Sequence, residues 1–267
     1  LCDRRQRQMC TRDRIIAIAN QKGGVGKTTT SINLSSCIAA KGKKVLVVDI
    51  DPQGNTTSGY GIEKNDLDNT IYELMLGDCS IEDCIIKDVI ENISILPSNV
   101  NLAAAEIELI GVDKKEYILK NEIDWVKDRY DYIIIDCMPS LGMMTINALA
   151  CADSVLIPVQ AAYLPVKGLQ QLIKTIGRVK KQLNPKLKIE GILLTMVDNR
   201  TNYARDISLM VYDTYSASIK VFGTEIPMSV RASEVSVGGG SIYSYDPKGK
   251  AAFAYMALTK EVLKEAE

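Results

Sequence analysis

A glycine-rich loop carries the most specific chemical signature in the sequence. Residues 22–30 read Lys-Gly-Gly-Val-Gly-Lys-Thr-Thr-Thr, between an apolar run of strand character and a helical pattern. Glycines let backbone N–H groups converge on phosphate oxygens, and the helix start adds positive potential. In such a loop Lys27 reaches the outer phosphates and the Thr28 hydroxyl can ligate Mg²⁺. We therefore predict a nucleoside triphosphate site formed by Lys22, Gly23, Gly24, Val25, Gly26, Lys27, Thr28 and Thr29.

Carboxylates stand where two other apolar runs end. Asp49 and Asp51 follow residues 45–48, and Asp136 follows residues 132–135. Ligands of open α/β sheets bind beyond the carboxyl ends of the strands, so these groups and the glycine loop are expected at one edge. Carboxylate and hydroxyl oxygens suit Mg²⁺. The three segments together predict a magnesium-dependent ATPase site, with a turn and a helix cap as the alternative for Asp49 and Asp51.

Short apolar runs alternate with longer helical patterns along the chain. The runs cover residues 15–19, 45–48, 93–96, 132–135, 155–159 and 189–195. The helical patterns include residues 28–40, 102–110, 116–127, 168–183, 203–218 and 250–265. This alternation predicts a parallel sheet, and strands that are apolar on both faces need cover on both sides. We predict a doubly wound α/β fold with a mostly parallel sheet and helices on both faces, and a further strand that ends within residues 225–228.

Composition and length limit the classes of protein that fit. The 267 residues are 46% hydrophobic and 24% charged, as in ordinary globular chains. Lys and Arg number 32 against 33 Asp and Glu, so affinity for nucleic acid would need a local basic patch. Residues 1–14 are expected to form a flexible basic lead and residues 15–267 a single domain.

The histidine and cysteine content excludes several chemistries. Histidine is absent, which rules out Ser-His and Cys-His catalytic pairs and His-ligated zinc. The seven cysteines show no C-x-x-C spacing, which argues against a disulfide framework and favours a reducing cytoplasm. The uncharged runs 137–152 and 154–166 are too short to span a bilayer, so no transmembrane helix is expected.

The loop departs from the general phosphate-loop pattern at its start, where Gln21 replaces the first glycine and Lys22 follows it. This KGGxGKT form resembles the deviant Walker A motif of the ParA and MinD partition ATPases, and the resemblance extends over residues 14–263. It implies that Lys22 reaches the nucleotide of a partner subunit, where a cation would make hydrolysis depend on dimerisation. It further implies that Lys27 and Asp51 act in catalysis, Asp51 by orienting the attacking water. Asp49 would act near the magnesium ion and Asp136 would hold it, directly or through water.

The resemblance also implies a base pocket and a switch loop. Asp198 and the backbone of Pro227 and Met228 would help to form the adenine pocket, although a simple turn explains the same residue types. Family members usually read Cys-Pro-Pro-Ser after the magnesium aspartate, whereas this chain has Met138 in place of the first proline. We expect the switch to survive this change. Cys137 is expected to be a buried apolar residue.

Basic residues suggest a surface for nucleic acid. No acidic residue lies between Asp153 and Glu190, and helical spacing places a cationic stripe opposite an apolar face. The apolar face comprises Leu169, Leu172, Ile173, Ile176, Val179 and Leu183, and the stripe includes Lys174, Arg178 and Lys181. A solvated helix face is the alternative. By resemblance, Arg200 is a candidate DNA contact, followed by Arg205 and Arg231; the glycine run 238–240 lacks the histidine and lysine usual there.

The function implied by the resemblance is that of a ParA-type partition ATPase. ATP and Mg²⁺ would support a homodimer that binds duplex DNA without sequence preference and releases it when a ParB-like partner stimulates hydrolysis. The protein would be cytoplasmic and associated with the nucleoid. Three alternatives stay open: a MinD-like ATPase that positions division at membranes, a DNA-bound regulator that uses ATP only as a ligand, and a metallocluster carrier. The C-terminal helix has mixed charges and residues 253, 256, 257 and 263 as apolar members, which favours core packing over membrane anchoring.

Overall fold

A seven-stranded sheet organises the chain in the computed structural model. The structure describes residues 14–161, 165–198, 200–232, 235 and 239–264, and of residues 165–167 only the backbone. The strands are β1 (Arg14–Ile18), β2 (Val45–Ile50), β3 (Ile86–Ile90), β4 (Ile93–Leu96), β5 (Tyr132–Cys137), β6 (Ser154–Gln160) and β7 (Lys188–Thr195). Their order is β3-β4-β2-β5-β1-β6-β7, and every neighbouring pair is parallel except β3 and β4.

Helices connect the strands. They are α1 (Lys27–Ala39), α2 (Asn55–Gly59), α3 (Ile71–Leu76), α4 (Ile81–Cys84), α5 (Leu102–Glu108), α6 (Ile118–Asp124), α7 (Met143–Cys151), α8 (Pro165–Gln182), α9 (Asn202–Tyr215), α10 (Ile242–Tyr245) and α11 (Lys250–Lys264). Single 3₁₀ turns cover Lys64–Asp66, Leu109–Gly111, Lys115–Tyr117 and Lys127–Arg129. No helix in the described ranges is both long and apolar enough to cross a membrane.

The core lies on both faces of the sheet. Successive residues of a strand point to opposite faces, so Ile16 packs with one buried cluster and Ile15 with the other. Helices α1 and α11 cover the first face, and α11 contributes Tyr255 and Leu258. Helices α7, α8 and α9 are among those that cover the second face. The predicted doubly wound architecture, with a mostly parallel sheet and helices on both faces, is thereby confirmed.

The structure corrects three predictions about the fold. Strand β1 begins at Arg14, which we assigned to the flexible lead; its guanidinium pairs with Glu190 at 2.5 Å. The predicted strand ending within residues 225–228 is not a continuous strand. It runs beside β7 through isolated bridges at Val221 and Pro227 and through a hydrogen bond from the Ile226 amide to the Leu194 carbonyl. In α11 the buried face includes Tyr255 and Leu258, whereas Phe253 is 57% exposed.

The strands that carry the predicted site residues are neighbours in the sheet. Strand β5 lies between β1 and β2, so the loop after β1 and the end of β2 flank it on either side. Asp136 on β5 is the register partner of Asp49 on β2 and of Ile18 on β1. The glycine loop and all three predicted carboxylates therefore meet at one edge of the sheet. Residues 1–13 and Gly238 lie outside the described residues.

Candidate functional site

The glycine loop joins β1 to α1 in a conformation that side chains disfavour. Gly24 and Gly26 have φ angles of 70° and 84°, in the left-handed region that glycine adopts without steric cost. No atom lies within 4 Å of where a Cβ would stand on Gly23 or Gly24. The Thr195 hydroxyl at the end of β7 donates to the Val25 carbonyl at 2.8 Å and fixes the loop from behind. The front of the loop is open to a ligand, and its glycines expose backbone to it.

Two lysines flank this open space. Lys27 is only 7% exposed, and its ammonium donates to the Lys22 carbonyl at 3.1 Å. Burial lowers the pKa of Lys27, and the charges of Asp136 and Asp51 oppose that shift. Lys22 is half-buried, and its ammonium lies 3.5 Å from the side-chain oxygen of Gln160. A polyphosphate would compensate the buried Lys27 charge far better than one carbonyl oxygen does.

Three hydroxyl groups converge on Asp136. Thr28 and Thr56 donate to its Oδ2 atom at 2.7 Å and 2.6 Å, and Ser31 donates to Oδ1 at 3.0 Å. Thr28 was predicted from the sequence, but Ser31 and Thr56 were not. The signal for Thr56 was present, because it lies shortly after the carboxylate segment 49–51, in the first turn of α2. The Asp136 carboxylate is therefore held against the Thr28 hydroxyl, in the first turn of α1.

Asp49 and Asp51 differ in how their oxygens are engaged. Asp49 is fully buried and accepts hydrogen bonds from the Thr57 amide and hydroxyl, both at 2.8 Å, and from the Asp51 amide at 3.2 Å. Asp51 accepts one hydrogen bond, from the Gln53 amide to Oδ1 at 2.9 Å, and no donor in the described ranges reaches its Oδ2. Asp49 therefore holds the β2–α2 connection, whereas Asp51 keeps an acceptor available. The role of Asp49 beside a metal stays a prediction.

Asp49 and Asp136 are neighbouring buried carboxylates. Burial, and then the neighbouring Asp136, raise the pKa of Asp49 to about 7. Burial also raises the pKa of Asp136, against the hydrogen bonds from Thr56, Thr28 and Ser31. A cation near both carboxylates would favour their ionised forms. The described residues contain no cluster of three or more His, Cys, Asp or Glu side chains suited to a metal. Hydroxyl and carboxylate oxygens are ligands that Mg²⁺ prefers, and the Thr28 hydroxyl and the Asp136 carboxylate are of that kind.

Thr57 connects this site to the end of β4. Its hydroxyl donates to Asp49 and accepts from the Ser98 amide at 2.9 Å. We expect Thr57→Val to lower the free energy of unfolding by about 3 kcal/mol, since it removes one of the three hydrogen bonds to the buried Asp49 carboxylate and leaves the Ser98 amide without its partner. Thr57→Ser keeps the hydroxyl and should cost about 1 kcal/mol for the lost methyl group. Urea denaturation of both variants checks this, and equal losses in the two would refute the role of the hydroxyl.

A cavity of about 260 Å³ opens beside the glycine loop. Gly26 and Thr29 line it on the loop side, and Pro227 and Met228 line it opposite, with Tyr255 also contributing. The Met228 amide donates to the Val197 carbonyl at 3.1 Å, which joins this segment to the end of β7. The structure therefore brings Pro227 and Met228 to the loop, as a base pocket would require.

Asp198 is turned toward Arg200 and is not among the residues that line the cavity. Its carboxylate accepts two hydrogen bonds from the Arg200 guanidinium, both at 2.8 Å. These hydrogen bonds lower the pKa of Asp198 to about 2. Arg200 is 87% exposed in spite of this pairing. The predicted contacts of Asp198 with the base and of Arg200 with DNA stay predictions.

The remaining basic candidates fall into two groups. Arg231 pairs with Asp246 at 2.8 Å, and Arg205 lies on α9 and also has a partner. Lys174, Arg178 and Lys181 are exposed on α8, while Leu169, Leu172, Ile176 and Val179 are buried. The predicted inward face of α8 is confirmed. Cys137 is 1% exposed within β5, which confirms it as a buried residue.

Comparisons with known proteins agree with this fold. The family model described as an AAA domain matches residues 13–189. The sporulation initiation inhibitor protein Soj of Bacillus subtilis (strain 168) is 51% identical over 249 residues, 93% of this chain and 98% of that protein. The chromosome partitioning protein ParA of Myxococcus xanthus (strain DK1622) is 46% identical over 261 residues, 98% of this chain and 92% of that protein.

A solved structure extends the comparison to three dimensions. Cobyrinic acid a,c-diamide synthase from Mycobacterium smegmatis, with a bound ATP analogue and magnesium, superposes with a TM-score of 0.85 at 35% identity. The match covers 95% of this chain and 96% of that one. The fold and site define a phosphate-loop nucleotide-binding protein. The chain belongs to the ParA and Soj family of partition ATPases.

Proposed function

We propose that this chain binds ATP with Mg²⁺ at the carboxyl edge of its sheet and hydrolyses it slowly as a homodimer. Lys27 holds the outer phosphates, Thr28 and Asp136 hold the metal, and Asp51 orients water. The Lys22 ammonium of each protomer serves the nucleotide of its partner. The bound metal supplies charge that polarises the phosphates and stabilises the transferring group.

The observation that carries this proposal is the convergence of Lys27, Thr28 and Asp136 at the open front of the glycine loop. Thr28 lies 2.7 Å from Asp136, and the buried Lys27 ammonium lies beside the same opening. The bound ATP analogue and magnesium in the Mycobacterium smegmatis enzyme support the same ligands here. Asp51, with its available Oδ2, meets the requirement for a group that orients water.

We further propose that the ATP-bound dimer binds duplex DNA without sequence preference, in the cytoplasm and on the nucleoid. A ParB-like partner then stimulates hydrolysis and releases the DNA. The names of the Soj and ParA relatives support this partition cycle. The packing of α11 through Tyr255 and Leu258 supports it over the MinD-like alternative, since a helix that anchors to membranes keeps its apolar face available.

Steady-state ATP turnover tests the enzymatic part of the proposal. We expect phosphate release that requires Mg²⁺ and rises on addition of duplex DNA together with the partner. A regulator that uses ATP only as a conformational ligand would bind ATP and DNA without releasing phosphate. The Lys27→Ala variant serves as the blank, because contaminating ATPases would be unaffected by it.

The α8 stripe provides a prediction about DNA affinity. Each phosphate contact contributes about 0.9 to the slope of log K against log salt. Replacing Lys174, Arg178 and Lys181 together by alanine removes three such contacts and should lower the slope by about 3. Fluorescence anisotropy across a salt series measures it, with Lys87→Ala on the edge strand β3 as a matched surface control. An unchanged slope would mean that the stripe is only a solvated helix face.

A further inference from the structure

Two cysteines, Cys79 and Cys84, lie side by side at the short helix α4, away from the glycine loop. Cys79 is half-buried in the turn before α4, and Cys84 is 1% exposed at its last residue. Their Sγ atoms are 2.9 Å apart. The Ser80 hydroxyl and the Asp83 carboxylate form a capping box, which fixes the conformation of the four residues between the two cysteines.

This separation is close to that of a covalent bond between sulfurs. A disulfide has a sulfur–sulfur distance of about 2.05 Å, so a movement of less than about 1 Å would join the two atoms. Among the described residues, no other pair of cysteines makes a sulfur–sulfur contact; Cys37, Cys137 and Cys151 are each buried apart. The absence of C-x-x-C spacing, which argued against a disulfide framework, did not reveal this pair.

We propose that Cys79 and Cys84 form a modification site, a dithiol that a low-molecular-weight disulfide converts into an intramolecular disulfide. The Cys79 thiolate attacks one sulfur of the small disulfide and displaces its other half as a thiolate, which gives a mixed disulfide. The Cys84 thiolate then attacks the Cys79 sulfur and displaces the second small thiolate. Two protein thiols are oxidised, one small disulfide is reduced, and the two protons leave on two small thiols.

The surroundings decide which oxidant fits. Burial raises the pKa of both thiols, so both carry protons at neutral pH. The carboxylates of Glu73, Asp78 and Asp83 lie nearby from α3, the turn and α4, and they disfavour a thiolate further. They also repel an anionic reagent. A small neutral disulfide such as 2-hydroxyethyl disulfide is the matching probe, used at about pH 8.5, above neutral, to increase the thiolate fraction.

Tryptic digestion isolates this pair from every other cysteine. Cleavage after Lys64 and Lys87 releases residues 65–87, which contain Cys79 and Cys84 and no other cysteine. The folded full-length chain is equilibrated with 2-hydroxyethyl disulfide and 2-mercaptoethanol, alkylated, digested and analysed by mass spectrometry. We expect this peptide to lose two hydrogens and to resist alkylation. At the same reagent ratio, its oxidised-to-reduced ratio should be about tenfold higher in the folded chain than in urea, because folding holds the sulfurs together.

Variants separate the steps. Cys84→Ser should trap Cys79 as the mixed disulfide with hydroxyethanethiol, whereas Cys37→Ser should leave oxidation of the peptide unchanged. A mixed disulfide that accumulates in the unmutated chain would overturn the proposal, and so would equal oxidation in the folded and unfolded chains. These outcomes do not depend on ATP hydrolysis, so failure here and failure of the proposed function are distinguishable.

Discussion

Replacing Lys27 with alanine should abolish nucleotide binding. The ammonium is 7% exposed at the front of the glycine loop and has only the Lys22 carbonyl as a hydrogen-bond acceptor within the described part of the chain. Charge-assisted hydrogen bonds to phosphate in a site that excludes water are strong, and their loss should raise the Kd for ATP by at least about 100-fold. Isothermal titration calorimetry with MgATP measures it.

The control for this variant is Lys41→Ala, an exposed lysine just beyond the other end of α1. It should bind ATP as the unmutated chain does. Circular dichroism establishes that Lys27→Ala is folded, since a folded variant that binds ATP with a Kd within a few-fold of normal would contradict the role of Lys27.

Replacing Asp51 with alanine should separate binding from hydrolysis. Its Oδ1 accepts from the Gln53 amide, and its Oδ2 is available to a water molecule. Removal of a group that orients or deprotonates water costs about 100-fold or more in rate. ATP affinity should stay within a few-fold of normal, because Lys27 and Thr28 are untouched. The ATP-bound dimer should therefore accumulate, as light scattering would detect.

Single-turnover hydrolysis measures the chemical step for Asp51→Ala. Asp66→Ala, which removes an exposed carboxylate from the 3₁₀ turn Lys64–Asp66, is the matched control and should hydrolyse ATP at the normal rate. Normal turnover in the Asp51 variant would contradict the role of Asp51 in orienting water and would indicate that a neighbouring carboxylate does this instead.

The sequence allowed the site to be predicted where residue type alone limits the conformation. Gly24 and Gly26 adopt the left-handed backbone that the loop requires, and the apolar runs before Asp49 and Asp136 form the adjacent strands β2 and β5. Ser31 and Thr56 could not be identified in this way. Their hydroxyls acquire a role only because strand order brings Asp136 within reach of both.

Two elements of the fold differ from what the sequence predicted. Strand β3 reads Ile-Lys-Asp-Val-Ile, and its exposed charges resemble a loop, although charged residues are typical of an edge strand. Asp88 within it has a φ angle of 52°, and the pairing with β4 shifts register there. The segment ending within residues 225–228 was predicted as a strand, whereas it pairs with β7 only at isolated positions, through bridges at Val221 and Pro227.

Binding to an unrelated DNA duplex tests the central claim most directly. The protein is titrated with ATP, with ADP and without nucleotide, over a salt series, and anionic vesicles are sedimented in parallel. We expect DNA binding that requires ATP, weakens steeply with salt and is not accompanied by vesicle binding. Vesicle binding without DNA binding, or DNA binding that is the same with ATP, with ADP and without nucleotide, would contradict it.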